Sequence, residues 1–151
     1  MLKNINPLLT PELLKVLCEM GHGDEVVLAD ANFTALSLAG GKPVLQLPGV
    51  KMAAACEAVL SVFPLDAAVS QPIAYMQVSD TAEGYRSALQ REVIGAIVLR
   101  GEARSEQCEA IERFAFYERV KQCYAIVQTG EMQPYANFVF KKGVISAELM
   151  P

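Results

Sequence analysis

The one histidine of the chain, His22, lies between two glycines in EMGHGDEVVLAD (residues 19–30), ahead of an apolar run that ends at Asp30. Glycine on both sides leaves the imidazole clear of bulky neighbours and the backbone free to turn, so this side chain can reach into a cleft. Imidazole titrates near neutrality, which suits a group that gives and takes protons. A solvent-exposed histidine just past a helix stop at Gly21 is the alternative that spacing leaves open. Asp30 stands where the apolar run ends and is poorly solvated on one side. A carboxylate there needs partners, and a polyhydroxylated ligand can supply them; a turn or cap role is the other reading.

Two later segments carry groups of the same kind. RFAFYER (residues 113–119) brings Arg113, Tyr117 and Glu118 together, a set that suits a sugar pocket, where aromatic faces stack and charged groups bind hydroxyls. Aromatics at helical spacing also fill cores, so Phe114, Phe116 and Tyr117 have a second reading. PYANF (residues 134–138) offers Tyr135 and Asn137 just before a strand, with ordinary turn chemistry as the alternative. The chain has no Walker loop, G-x-G-x-x-G, G-x-S-x-G or HExxH, which removes the commonest nucleotide, hydrolase and zinc readings. Cys18, Cys56, Cys108 and Cys123 form no C-x-x-C pair and have one histidine to join them, so no metal site is expected; reduced, mostly buried thiols are.

These groups need elements to hold them. Thr10-Pro11-Glu12 reads as an N-cap, a proline at the first helical position and an acidic first turn, followed by Leu13, Leu14, Leu17 and Met20 at helical spacing up to Gly21. Val26–Ala29 is a short uncharged run of the sort buried on both faces of a parallel sheet. Residues 31–43 read as a loop, Val44–Leu47 as a strand, 51–61 as a helix stopped by Pro64, and Ile73–Val78 as a strand. Asp80 or Thr81 is placed to cap a following helix. Residues 91–101, REVIGAIVLRG, have strand composition over Val93–Leu99 and helical spacing from Tyr85 to Ile97, so either element fits. A helix over 113–123 and strands over 124–129 and 138–140 complete an α/β pattern with a mainly parallel sheet, in which sites gather beyond strand ends.

Length and composition bound the partners. The 151 residues fit one domain with a real core. A hydrophobic fraction of 52% and a mean hydropathy of +0.26 predict that further copies of the chain cover some apolar surface. A net charge of −4 with no basic cluster argues against nucleic acid. The start MLKNINPLL has no signal-peptide pattern, and no apolar stretch reaches the ~18 residues that span a bilayer, so a cytoplasmic protein without a membrane partner is expected.

Taken in order, TPELL, EMGHGDE, LADANF, ERFAFYERVKQCYAIVQTGE, YANF and KKGV resemble the L-fucose mutarotase and D-ribose pyranase family over nearly the whole length, and RFAFYER is similar to its fucose-type branch. The resemblance implies one three-layer α/β domain over residues 1–151 that assembles into a ring, commonly a decamer in bacterial members, with pockets near subunit contacts. It implies His22 as the acid/base, Asp30 and Arg113 as binders of sugar hydroxyls, Tyr135, Ala136 and Asn137 as the segment lining the sugar, and Tyr117 as a further pocket residue. It implies no cofactor. Thr34 departs from the proline usual after ANF, which predicts a less rigid loop there and bears on substrate preference. Residues 35–108 are similar only in a general way. Two other readings use the same histidine or pocket: a phosphocarrier of a sugar-uptake system and a non-catalytic sugar-binding accessory of transport.

Overall fold

The computed structural model describes residues 1–149. Its first helix, α1 (Pro11–Glu19), starts as the sequence predicts: Pro11 occupies the first turn, the Thr10 hydroxyl accepts the Leu13 N–H, and Leu13, Val16 and Leu17 are buried. The chain leaves the helix through an extended Met20, and Gly21 is not among the residues with positive φ, so the stop does not use a left-handed glycine.

Six strands, β1 (Glu25–Ala29), β2 (Val44–Leu47), β3 (Ile73–Met76), β4 (Cys108–Ile111), β5 (Ala125–Thr129) and β6 (Phe138–Lys141), form one sheet in the order β2-β5-β1-β6-β3-β4. β1, β2 and β5 run parallel, as do β3 and β4; β6 runs antiparallel to both its neighbours and joins the two parallel groups. Successive side chains of a strand point to opposite faces. Val26 and Leu28 therefore join the core under α1, α3 (Met52–Leu60) and α4 (Ala88–Leu99), whereas Val27 and Ala29 join the core under α2 (Ala35–Leu38) and α5 (Arg113–Gln122). Helices on both faces make three layers, which is why β1 reads as an unbroken apolar run.

The structure corrects the sequence expectations in two places, settles an open one and adds a strand. The region 31–43 contains the four-residue helix α2. No helix follows Asp80 or Thr81 directly: Asp80 takes a left-handed turn (φ 58°), and α4 begins at Ala88 behind Ser87. There the Ser87 hydroxyl accepts the Gln90 N–H and Gln90 Oε1 accepts the Ser87 N–H, a capping box that outweighs the isolated aspartate and threonine. Residues 91–99 are helical. Val93, Ile94 and Ile97 are buried while Val98 and Leu99 are exposed, so the helix is apolar on both sides and its period is masked. Finally, β4 carries CEAI at the sheet edge, too short and too charged to announce itself.

Candidate active site at the carboxyl ends of the strands

β1, β3, β4 and β5 end on the same edge of the sheet, and the antiparallel β6 begins there. Asp30 follows β1, Met76 closes β3, Arg113 opens α5 just after β4, and Tyr135–Asn137 lead into β6. They meet around a cleft of 230 Å³ lined by Asp30, Asn32, Phe33, Met76, Arg113, Tyr117, Pro134, Tyr135 and Asn137. This is smaller than the ~300–1,000 Å³ usual for drug-sized ligands and suits a single ring.

Asp30 is buried, and the paired partner is Asn137: the Asp30 N–H donates to Asn137 Oδ1 at 2.8 Å, and Asn137 Nδ2 donates to Asp30 Oδ2 at 3.0 Å. Oδ1 accepts the Asn32 N–H at 2.9 Å. The carboxylate thus has protein donors on both oxygens and keeps acceptor capacity for a ligand. Burial pushes the Asp30 carboxyl above the ordinary carboxylate range, and the donors from Asn32, Asn137 and Phe33 offset this only in part.

Arg113 lies across the cleft. Glu112 caps α5 by accepting the Phe114 and Ala115 N–H groups, which fixes the first turn, and Arg113 Nε donates to the Tyr117 hydroxyl at 2.9 Å. Its two Nη groups have no hydrogen-bond partner among the described residues, leaving a planar fork free for hydroxyls. The aromatic stripe of α5 divides: Phe116 is core, Phe114 is exposed, and Tyr117 lines the cleft, edge-on to Phe33 at 5.7 Å. With Met76 these two rings make the apolar wall.

Tyr135 holds a left-handed backbone (φ 60°), a strained state for a non-glycine residue that persists only where surroundings enforce it. Gln90 supplies that enforcement. Fully buried in α4, it donates through Nε2 to the carbonyls of Met76 (2.8 Å) and Tyr135 (3.0 Å). The sequence signal for Gln90 was the Ser87-x-x-Gln90 capping box. Gln128 and Glu131 brace the same edge: Gln128 Nε2 donates to carbonyls of Asp30, Ala31 and Phe33, and the buried Glu131 carboxylate accepts the Met52 and Gln133 N–H groups. The loop carrying Thr34 is therefore tied down at its start, and the Thr34 φ of −79° is one that proline also adopts.

Five of the residues that the sequence singled out, Asp30, Arg113, Tyr117, Tyr135 and Asn137, thus meet in one cleft. Ala136 is fully buried between two of them and points no side chain into it. Glu118 lies outside, exposed and paired with Lys121 at 2.6 Å. His22 is at the other end of β1, across five strand residues or about 17 Å. There its Nε2 lies 3.2 Å from Asp66 Oδ1. Asp30 and His22 of one chain do not touch.

Fold and cleft define a three-layer α/β protein whose cleft opens where the strand directions change, the place where ligands gather in such sheets. Residues 3–145 match the model of the RbsD / FucU transport protein family, and the chain belongs to that family. The L-fucose mutarotase of Glaesserella parasuis serovar 5 (strain SH0165) is 44% identical over 144 residues, covering 95% of this chain and 96% of that protein. The fucose mutarotase of Danio rerio is 42% identical over 150 residues, with 97% and 96% covered. The crystal structure of the fucose mutarotase from Streptococcus pneumoniae in complex with L-fucose superposes with a TM-score of 0.85 at 37% identity, covering 96% of this chain and 100% of that chain.

Proposed function

We infer that this protein is a sugar mutarotase that interconverts the α and β anomers of a reducing monosaccharide, with L-fucose as its substrate. The observation that carries this reading is the cleft itself, in a chain so similar to named fucose mutarotases: a buried carboxylate with spare acceptor capacity shares the cleft with a guanidinium whose two Nη groups have no partner among the described residues, beside a wall of Phe33, Met76 and Tyr117. Carboxylate and guanidinium suit hydroxyls; the apolar wall suits the methyl group of a 6-deoxy sugar.

Anomer exchange needs a proton delivered to the ring oxygen and one removed from the anomeric hydroxyl, followed by rotation about a carbon–carbon bond and reclosure. No redox step or nucleophile is involved, and positioned acid/base catalysis contributes typically ~10²–10⁴ in rate. Asp30 and Arg113 bind hydroxyls, Tyr117 and Tyr135 flank the ring, and His22 is the acid/base. Because His22 and Asp30 flank β1 at opposite ends, the imidazole that serves one cleft belongs to a second copy of the chain. A closed ring, a decamer in this proposal, provides such a neighbour for every cleft, and the exposed Leu36, Leu99, Phe114, Met132, Val144 and Ile145 give it apolar surface to bury.

The cytoplasm is the compartment that fits a chain with four unpaired cysteines, three of them buried, and no helix among the described residues that is long and apolar enough to cross a membrane. Saturation-transfer NMR on α and β signals tests the function: anomer exchange of L-fucose rises with protein concentration, and exchange of D-ribose rises less. Equal rates for the two sugars would remove L-fucose as the preferred substrate, and no acceleration of either would remove the mutarotase reading.

A further inference from the structure

At the amino end of β1 three segments are laced together around His22. The Gly23 N–H donates to the Lys142 carbonyl, the Lys142 N–H to the Asp24 carbonyl, and the Gly143 N–H to the Pro64 carbonyl, each at 2.8 Å. The Asp66 N–H in turn donates to the Lys141 carbonyl at 3.0 Å. A Cβ on Gly143 would run into the backbone of Leu65 and Asp66, so this glycine allows the two segments to touch. The lacing sets the Asp66 carboxylate beside the imidazole: Oδ1 accepts the Ala68 N–H at 3.0 Å and lies 3.2 Å from His22 Nε2.

The pair is asymmetric. The Asp66 side chain is 6% exposed, whereas that of His22 is 53% exposed. A fixed, buried acceptor thus stands 3.2 Å from one ring nitrogen of a side chain that is half exposed. The other charged groups of this end are engaged elsewhere. Asp24 Oδ2 accepts the Gly21 N–H, Lys142 Nζ donates to the carbonyls of Leu17 and Met20 at the end of α1, and Lys141 pairs with Glu25 at 3.4 Å.

We propose that Asp66 is a positioning residue for His22, holding the imidazole through Nε2–H so that Nδ1 is the atom that exchanges protons with the sugar. This rests on the reading of His22 as the acid/base. A neutral imidazole that donates from Nε2 carries its lone pair on Nδ1, so the bond sets the tautomer as well as the ring orientation. The carboxylate also stabilises the imidazolium that forms when Nδ1 takes the anomeric proton. The Ala68 N–H holds the Asp66 carboxyl below its ordinary range against the opposing effect of burial, and His22 and Lys141 add to this, so the partner is an anion at working pH.

With one histidine in the chain, the two imidazole nitrogens of the labelled full-length protein are unambiguous in ¹⁵N NMR. At alkaline pH the Nε2–H tautomer is expected to dominate; a dominant Nδ1–H tautomer would overturn the proposal with no variant needed. Asp66→Asn keeps an oxygen for the Ala68 N–H but removes the charge. In that variant, with folding checked by circular dichroism, the Nε2–H share should fall toward that of free histidine and kcat for L-fucose exchange should fall about tenfold while KM stays within about twofold. A parent rate in folded Asp66→Asn, with His22→Gln inactive, would remove the role of Asp66 alone. A parent rate in His22→Gln would instead remove the acid/base reading beneath it.

Discussion

At the carboxyl end of β1, a buried carboxylate, a guanidinium and two tyrosines converge on a cleft; Asn137 braces Asp30 and Gln90 braces Tyr135 from other elements, while Arg113 and Tyr117 hold each other within α5. At the amino end, a single half-exposed imidazole rests on one buried aspartate and faces outward with no comparable set of hydroxyl-binding groups beside it. Under the proposed function the first end recognises the ligand and the second exchanges a proton. The difference teaches that recognition is built within the chain, where buried polar groups need many partners, whereas a proton donor needs only one fixed partner and an open edge.

The sharpest way to break this division is His22→Gln, which keeps a polar side chain of similar reach but exchanges no proton at neutral pH. Anomer exchange is expected to fall by about 10²-fold or more with little change in L-fucose affinity. Loss of binding with intact exchange at saturating sugar would reverse the roles of the two ends.

Asp30→Asn tests recognition. It removes a charged acceptor, so KM for L-fucose should rise about tenfold or more while kcat changes less, as read by NMR exchange rates across a sugar series. Because burial raises the Asp30 carboxyl, parent affinity should be complete at neutral pH and decline on acidification at a pH above the ordinary carboxylate range. The sign for stability is opposite. A raised folded-state value favours the protonated form, so what this group contributes to the fold is present in acid and lost as the pH rises through the raised value. Under the proposed function the ionised Asp30 therefore serves the ligand at a cost to the fold.

Gln90→Leu should have the smallest effect on turnover and a measurable one on the scaffold. It leaves the carbonyls of Met76 and Tyr135 without their donor, at a cost of about 1–3 kcal/mol seen as a lower thermal midpoint. Affinity for L-fucose should weaken with it as Tyr135 relaxes from its left-handed backbone. An unchanged midpoint and unchanged affinity would show that the strain at Tyr135 is held by something other than Gln90.

Much of the fold was legible in residue order. The Thr10-Pro11 cap of α1, the both-face burial of β1 and the run of β5 into Thr129 follow from local rules, in which a cap bond or an apolar run is decided within a few residues. Arg113–Gln122 formed the expected helix for the same reason. α4 was ambiguous because its outer face carries Val98 and Leu99, so hydrophobic period, the main local signal, was lost. Edge strand β4 stayed hidden because its pairing with β3, not its own composition, makes it a strand.

Of the site, the sequence by itself determined the chemical types: one imidazole between glycines, a carboxylate at a strand end, an arginine and tyrosine one helical turn apart, and a Tyr-Ala-Asn step before a strand. Their spacing also placed Arg113 and Tyr117 on one helix face, where the structure shows them bonded. Only the tertiary structure decided that Asp30 pairs with Asn137, that Gln90 reaches across to Tyr135, and that His22 faces away from them all toward Asp66. The reason is the order of the strands. β6, last in the chain, inserts antiparallel between β1 and β3, bringing residues more than a hundred positions apart within 3.0 Å at one edge and Lys142 beside His22 at the other. Local propensity sets which residues form strands; which strands lie side by side is settled by burying both faces of the sheet at once, and that sum runs over the whole chain.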